Sequence, residues 1–383
     1  CIRDRVVTDD YPCFMIPRMQ AAAAQQIPCA MEAVDSNGLL PIRTTTKEFT
    51  RAYSFRRYLH KTLPEYLAER PLSEPLAGLE LPAAEIPASV LAKWPMATEE
   101  LLAADSEAIA GLPIDHQVGP VDRAGGHRAG SELARDFVGH RLGGYDDDRN
   151  HPQRSGTSGL SPYLHFGHVS AHEVFHLVAE HEAWSPERLA DKPTGKRSGW
   201  WGMSPTAESF LDELITWREV GFNTCVVRDD YDQYESLPDW ARKTLEEHEN
   251  DPREYCYSLE DFEAGQTHDE LWNAAQMQLV REGRIHNYLR MLWGKKILHW
   301  SASPRQALAI MLELNNKYAL DGRDPNSYSG IFWVLGRFDR AWGPEREIFG
   351  KIRYMTSDST RRKFKVDGYI EEYGTATQTS LAL

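Results

Sequence analysis

From about residue 120 onward the chain carries almost no strand signal, and this constrains its fold more than any other feature. Apolar residues recur at helical spacing over 131–142, 170–181, 207–221, 269–300 and 304–318. Such a region must bury its core by packing helix on helix. The beginning of the chain differs. Residues 5–9 (RVVTD) and 29–34 (CAMEAV) read as short buried strands, and 17–27 (PRMQAAAAQQI) predicts a helix opened by Pro17. Strand, helix, strand is a βαβ unit, which belongs in a larger parallel sheet because it cannot cover its own faces. Earlier strands are therefore expected upstream of a chain that starts with Cys1 and not Met. Residues 64–120 hold eight prolines, and Glu65 to Asp115 contains ten acids against two bases. That composition predicts a long connection with short helices. The expected organisation is a partial α/β domain over 1–80, a linker over 81–119 and a large all-helical domain over 120–375.

Charge needs a local reading. The net charge of −14 argues against a nucleic-acid partner when taken as a whole. The acidic excess is concentrated in the connection, however, and Glu345 to Lys365 holds seven bases against three acids. By itself a basic stretch is an ordinary solvated surface. Five cysteines (Cys1, Cys13, Cys29, Cys225, Cys256) are odd in number and far apart, with no CxxC pair. They suggest neither a disulfide framework nor a zinc or iron–sulfur site, and an intracellular compartment is expected. No apolar run approaches the roughly 20 residues of a membrane span. CIRDRVVTDD lacks the features of a secretory leader.

Several chemistries can be set aside. There is no GxxxxGK[ST] loop, no GxGxxG after a strand and no HExxH. Gly156-Thr-Ser-Gly159 has the wrong spacing for a nucleophile elbow. His165, His168, His172 and His176 tempt a metal reading, the last three on one helix face, but no carboxylate or cysteine ligand motif accompanies them, so no metal is assigned. Ser170-Ala-His-Glu173 has the capping-box pattern. Residues 157–167, TSGLSPYLHFG, are more informative: a Thr-Ser turn before a helix can bind an anion such as a diphosphate, although an ordinary helix cap would also account for it.

That string closely resembles the flavin-diphosphate segment of the photolyase–cryptochrome family. The resemblance continues in family order through VVTDDYP, EAVDSNGLLPIR, ELITWREVGFN (213–223), MLWGKKILHW (291–300), ELNNKYALDGRDPNSYSGIFW (313–333), DRAWG and IFGKIRYM (to 355). These strings are similar to class II cyclobutane-pyrimidine-dimer photolyases in particular. The resemblance implies a partial Rossmann-like, antenna-type domain followed by an all-helical FAD-binding domain. It implies light-driven repair of pyrimidine dimers in double-stranded DNA, with FAD as cofactor and a monomeric, non-membrane protein. The antenna pigment stays unassigned. A cryptochrome-like sensor without repair is the alternative, disfavoured by the retained Glu213, Trp217, Asn315 and Trp333.

The resemblance also assigns roles. Thr157, Ser158, Leu160 and Ser161 hold the FAD diphosphate region, and Tyr145 lies near the phosphates. Arg290 and Asp321 pair beside the flavin ring, Asn315 faces its N5, and Asp339 belongs to the same cofactor set. Glu213 and Trp217, four apart and so on one helix face, bond and pack against the damaged base. Trp333 forms a second aromatic wall. Tyr288 and Met291 line the pocket, and Arg149 stands at the DNA entrance. Arg340, Trp342, Lys351 and Arg353 fall in the region that contacts DNA, which changes the reading of the basic stretch. Trp272, Trp293 and Trp300 match an electron-transfer series; Trp293 and Trp300 are two helical turns apart, about 10 Å along the axis. This chain departs from the pattern at Asn287, where glycine is usual, at His168, in a loop one residue short before Asp339, and in 183–201, which reads as an insertion.

Overall fold

The computed structural model describes residues 5–68, 70–82 and 85–374; Cys1 and the expected domain end at residue 375 lie outside them. The chain forms two compact units, one from its first 69 residues together with 121 onward, the other from 70–120. The smaller unit carries three short helices, Ala88–Lys93, Glu99–Leu102 and Ser106–Ala110. The side chains of Thr98 and Asp105 cap the second and third. None of the three buries a residue, as the proline spacing and acidic composition lead one to expect.

In the larger unit, Arg5–Asp9 and Ala30–Val34 pair in parallel, with Arg5 opposite Ala30 and Asp9 opposite Val34. The helix Ile16–Gln26 connects them, with Pro17 in its first turn. The sequence boundaries hold to within a residue. Neither strand buries a side chain, because one helix cannot cover two sheet faces. The βαβ unit is instead tied down by the loops that follow its strands. Tyr11 donates to Asp324 (3.1 Å), and the Phe14 N–H donates to the Tyr231 hydroxyl (2.7 Å). Arg218 donates to the Asn37 carbonyl.

Glu219 completes this anchorage. It is buried and accepts the N–H groups of Leu39 (2.7 Å) and Leu40 (3.4 Å). A side chain at Gly38 would meet its carboxylate at 2.6 Å, so glycine is required there. Burial pushes the Glu219 carboxyl up to about 8, from an ordinary 4.5. The folded state therefore holds a proton that the unfolded chain releases. Stability from this group is complete below about pH 4.5 and is lost as the pH rises to about 8. In denaturant titrations across that range, Glu219→Gln should lack this part of the decline; an unchanged slope would show that Glu219 is ionised in the fold.

The remaining elements are helices around two cores. Glu270–Glu282, Asn287–Trp300, Pro304–Tyr318 and Pro325–Val334 surround Trp272, Trp293, Met311 and Phe332. Ala52–Thr62, His127–Asp136, Ala171–His181 and Pro205–Leu211 enclose Phe137, Val174, Phe175 and Leu211. The periodic stretch 269–300 is two helices, because Gly283 takes a left-handed conformation (φ +66°) and ends the first. The capping box at Ser170 is half formed. Its hydroxyl accepts the Glu173 N–H (3.0 Å), but the Glu173 carboxylate is taken by Ser131 (2.5 Å). The 183–201 segment is built into the second core: Trp184 donates to the Trp201 carbonyl (2.6 Å), and Trp200 stacks on His60 at 4.2 Å.

Candidate functional site

The helix that starts at Pro205 does not run on as a regular α-helix. Asp212–Trp217 forms a wider π-helical turn before the α-helix resumes over Arg218–Val227. Such turns insert a residue and re-aim side chains, and they recur at functional sites. Glu213 and Trp217 both lie on this one. Arg56 fixes it from below, donating to both Asp212 oxygens at 2.6 and 2.9 Å in a buried pair.

Glu213 accepts from Arg149 (2.8 Å), whose guanidinium lies over the Tyr145 ring at 5.3 Å. About a third of the Glu213 side-chain surface is reachable by solvent. Desolvation by the surrounding protein nevertheless outweighs the opposing pull of Arg149, and the carboxyl is raised above its ordinary range. Tyr145, Ser158, Leu160, Ser161 and Glu213 share one cavity of about 140 Å³. Ser161 donates to Asp321, which also accepts from Arg290 at 3.2 Å.

Ser158 lines a second cavity of about 330 Å³ with Thr157, the cations Arg123, Arg141, Arg154 and Arg284, and the carboxylates Glu282 and Glu372. The loop between the cavities turns on Gly159, which is left-handed (φ +72°). A side chain at Gly156 would strike the Asp148 backbone at 2.5 Å. His286 also lines this cavity, and both its buried ring nitrogens lack a hydrogen-bond partner. Hydroxyls, four guanidinium groups and an orphaned imidazole beside a shape-restricted loop fit a phosphorylated cofactor.

The indoles of Trp217 and Trp333 stack on each other, 4.6 Å apart and 14° from parallel. They form one continuous apolar surface and no slot. The Trp333 Nε1–H is buried without a partner. Beneath it, fully buried Lys295 donates to the Val334 carbonyl at the end of the same helix, and burial brings its ammonium down to about 7. A separate cluster gathers on Asp339, which accepts from Trp342 Nε1 (3.1 Å) and Arg353 Nε (3.2 Å). Arg340 and Arg353 lie over the Trp342 ring at 4.5 and 4.4 Å.

The three tryptophans of the expected series are all buried. Trp272, from the neighbouring helix, touches both others: its Nε1 donates to the Trp293 carbonyl (3.0 Å), and its ring lies 6.1 Å from Trp300. Trp293 Nε1 donates to Gln276 (2.8 Å).

Not every named residue joins these groups. Asn315 is inside the last turn of Pro304–Tyr318, and its amide donates to Ser327 (2.6 Å). Tyr288 packs on Phe364 (4.8 Å), Met291 packs against the larger core, and exposed Lys351 pairs with Glu345 (2.9 Å). Asp339 falls with Trp342 and Arg353 and lines neither of the two cavities around Ser158. His168 precedes the helix that carries His172 and His176, and its ring accepts the Gly126 N–H (3.1 Å). Among the described residues no group of three or more His, Cys, Asp or Glu gathers as a metal site.

Comparison with known proteins identifies the family. No family model matches the chain. It is 35% identical over 380 residues to the deoxyribodipyrimidine photo-lyase of Arabidopsis thaliana, covering 97% of this chain and 70% of that protein. It is 36% identical over 356 residues to that of Methanothermobacter thermautotrophicus, covering 92% and 70%. The chain belongs to the deoxyribodipyrimidine photo-lyase family. It is an enzyme of that class. The photo-lyase of Potorous tridactylus is 35% identical over 370 residues, with 94% and 62% covered. The chain thus spans 62 to 70% of the length of these three photo-lyases. In fold it is similar to a class III photolyase from Agrobacterium tumefaciens (TM-score 0.61, 18% identity, covering 97% of this chain and 68% of that one). A Synechocystis cryptochrome gives a TM-score of 0.63 at 15% identity, with the same coverage. Among the described residues no helix is long and apolar enough to cross a membrane.

Several residues of this candidate site escaped the reading of its sequence. The arginines of the larger cavity come from four separate segments, and their convergence has no local signal. Arg56 and Asp212 are 156 residues apart. His286 sits in the string IHNYLRM, beside the noticed Asn287, but an unpaired ring becomes visible only in three dimensions.

Proposed function

We propose that this photo-lyase repairs cyclobutane pyrimidine dimers in double-stranded DNA with light, as a class II enzyme that uses FAD. One observation carries the reading. Ser158 lines both the arginine-rich cavity and the small cavity that holds Glu213, so a phosphate-binding end and a reactive end lie on either side of one loop. Thr157, Ser158 and the four arginines would hold the diphosphate, Leu160 and Tyr145 would supply apolar contact, and the Arg290–Asp321 pair with Ser161 and Asn315 would orient the ring system. When bound in reduced form, that cofactor supplies one electron on absorbing light.

The chain's own residues do the rest. Trp217 and Trp333 offer an apolar surface to a dimer flipped from the stack, and a damaged base is cheaper to extrude. Glu213, with its raised carboxyl, donates a hydrogen bond to a base carbonyl as that carbonyl gains negative charge. Arg149, Arg340, Trp342, Lys351 and Arg353 meet the backbone and the strand around the lesion. Tyr288 and Met291 shape the pocket rim, and Asp339 orients Trp342 and Arg353. The protein acts as a monomer.

Purified protein should carry FAD that is released on denaturation, and with a reductant and blue light it should split dimers in duplex DNA back to separate pyrimidines, read by chromatography. Tight FAD binding without light-dependent dimer loss would move the protein to the cryptochrome-like sensor. Gly156→Ala should bind FAD more weakly, since its methyl group would displace the Thr157–Ser158 loop.

Trp272, Trp293 and Trp300 would relay electrons to oxidised flavin. Trp272→Phe or Trp293→Phe should slow light-driven reduction, while repair by chemically reduced enzyme stays near wild type. Wild-type photoreduction in both variants would leave these indoles as packing residues.

A further inference from the structure

We infer that the loop segment 194–197 is a cationic arm that grips the phosphate backbone of the DNA strand beside the flipped lesion. The inference rests on the DNA-repair reading above and adds a binding surface to it. A groove of about 610 Å³ opens over Trp217 and is lined by Arg51, Arg56, Lys196, Arg197 and Arg340, with Asp339 as the single carboxylate. Five cations against one acid is a strong local reversal in a chain of net charge −14. Arg56 is committed to Asp212, and Asp339 to Arg353 and Trp342. The outward cations are Arg51, Lys196, Arg197 and Arg340, all exposed.

The arm is held rigidly up to its charged tip. Gly195 is buried and left-handed (φ +72°), and a side chain there would come within 3.0 Å of the Tyr53 carbonyl and of Arg57. Its carbonyl accepts from Arg56 (3.2 Å), and its N–H donates to His60 (3.3 Å), the ring on which Trp200 stacks. Glu208 accepts the N–H groups of Gly199 and Gly202 on the far side. The next two residues then turn out to solvent. Arg197 keeps 70% of its side-chain surface exposed and reaches Asp212 at 3.9 Å, too far for a close ion pair, and Lys196 forms none among the described residues. A fold that fixes the backbone of a loop while leaving two adjacent cations exposed, one of them only 3.9 Å from a carboxylate already held by Arg56, over a groove that contains the lesion-facing indole, suits a chain of phosphates. Phosphates spaced along a strand match cations spread from Arg51 through Lys196 and Arg197 to Arg340.

The test uses FAD-loaded protein and a dimer-bearing duplex. Lys196→Gln/Arg197→Gln should bind more weakly, and its log–log salt dependence should flatten by about 1.8, or 0.9 for each phosphate that is no longer neutralised. Raising salt from about 50 to 200 mM should therefore cost the variant roughly tenfold less affinity than it costs wild type. FAD content should be unchanged. Equal affinity and equal salt slope in variant and wild type would overturn the arm while leaving the repair reading intact. Wild-type protein that holds FAD yet shows no preference for dimer-bearing duplex would overturn both.

Discussion

Arg56→Ala is expected to destabilise the protein by about 3–5 kcal/mol, the usual cost of leaving one partner of a buried ion pair alone. Both side chains are almost wholly buried, at 6 and 7% exposure, and two short hydrogen bonds join them. The substitution leaves Asp212 buried, with Arg197 at 3.9 Å as its remaining ion-pair partner among the described residues. It also removes the donor to the Gly195 carbonyl. Urea unfolding followed by far-UV circular dichroism measures the loss. Arg56→Met/Asp212→Asn should recover most of it, because removing both charges removes the desolvation penalty. A single-variant loss below about 1 kcal/mol would mean that water reaches Asp212 freely and that the π-helical turn is held by packing alone.

Glu213→Ala is expected to cut dimers repaired per absorbed photon several-fold while changing affinity for damaged duplex much less. The bond from its carboxyl strengthens as charge develops on the base, so it acts mainly after binding. Glu213→Gln keeps a donor and should retain most of the yield. The pH dependence separates the two variants further. A raised carboxyl stays protonated and donating at lower pH and loses its proton as the pH rises through the shifted value, so wild-type yield should fall with rising pH. The glutamine variant should not follow that fall. Arg149 complicates a simple deletion, because its guanidinium is released when the carboxylate is removed and could itself approach the base. Arg149→Gln should therefore raise the Glu213 carboxyl further and extend the high-yield range to higher pH. Equal damage to binding and yield in Glu213→Ala would remove the residue from this role.

How much of this was legible in the linear chain depended on the range of the forces involved. The strand–helix–strand start, the helical stretches at 170–181, 269–300 and 304–318 and the acidic, proline-rich connection were readable, because periodicity, proline position and charge density are local properties, whereas helices such as Asp239–Glu247, Pro325–Val334 and Ser357–Lys363 went unread. The TSGLSPYLHFG turn was readable for the same reason: Thr157, Ser158, Leu160 and Ser161 follow one another around left-handed Gly159, although Arg141 and Arg123 also hold the turn by donating to the Thr157 and Gly159 carbonyls. The pairing of Glu213 with Arg149, of Arg290 with Asp321 and of Arg56 with Asp212 was not in any local pattern. Each joins segments separated by 31 to 156 residues, brought together by helix packing. The π-helical turn at Asp212–Trp217 was hidden because its composition is that of an ordinary helix; the buried ion pair beneath it is a tertiary feature. The stacking of Trp217 on Trp333 likewise required two helices to meet. The sequence by itself determined which segments are helices and which loop could cradle an anion, since backbone hydrogen bonding and side-chain periodicity are settled within a few turns. The tertiary structure alone decided which charges face each other, because electrostatic pairing and desolvation depend on distance in space and not along the chain.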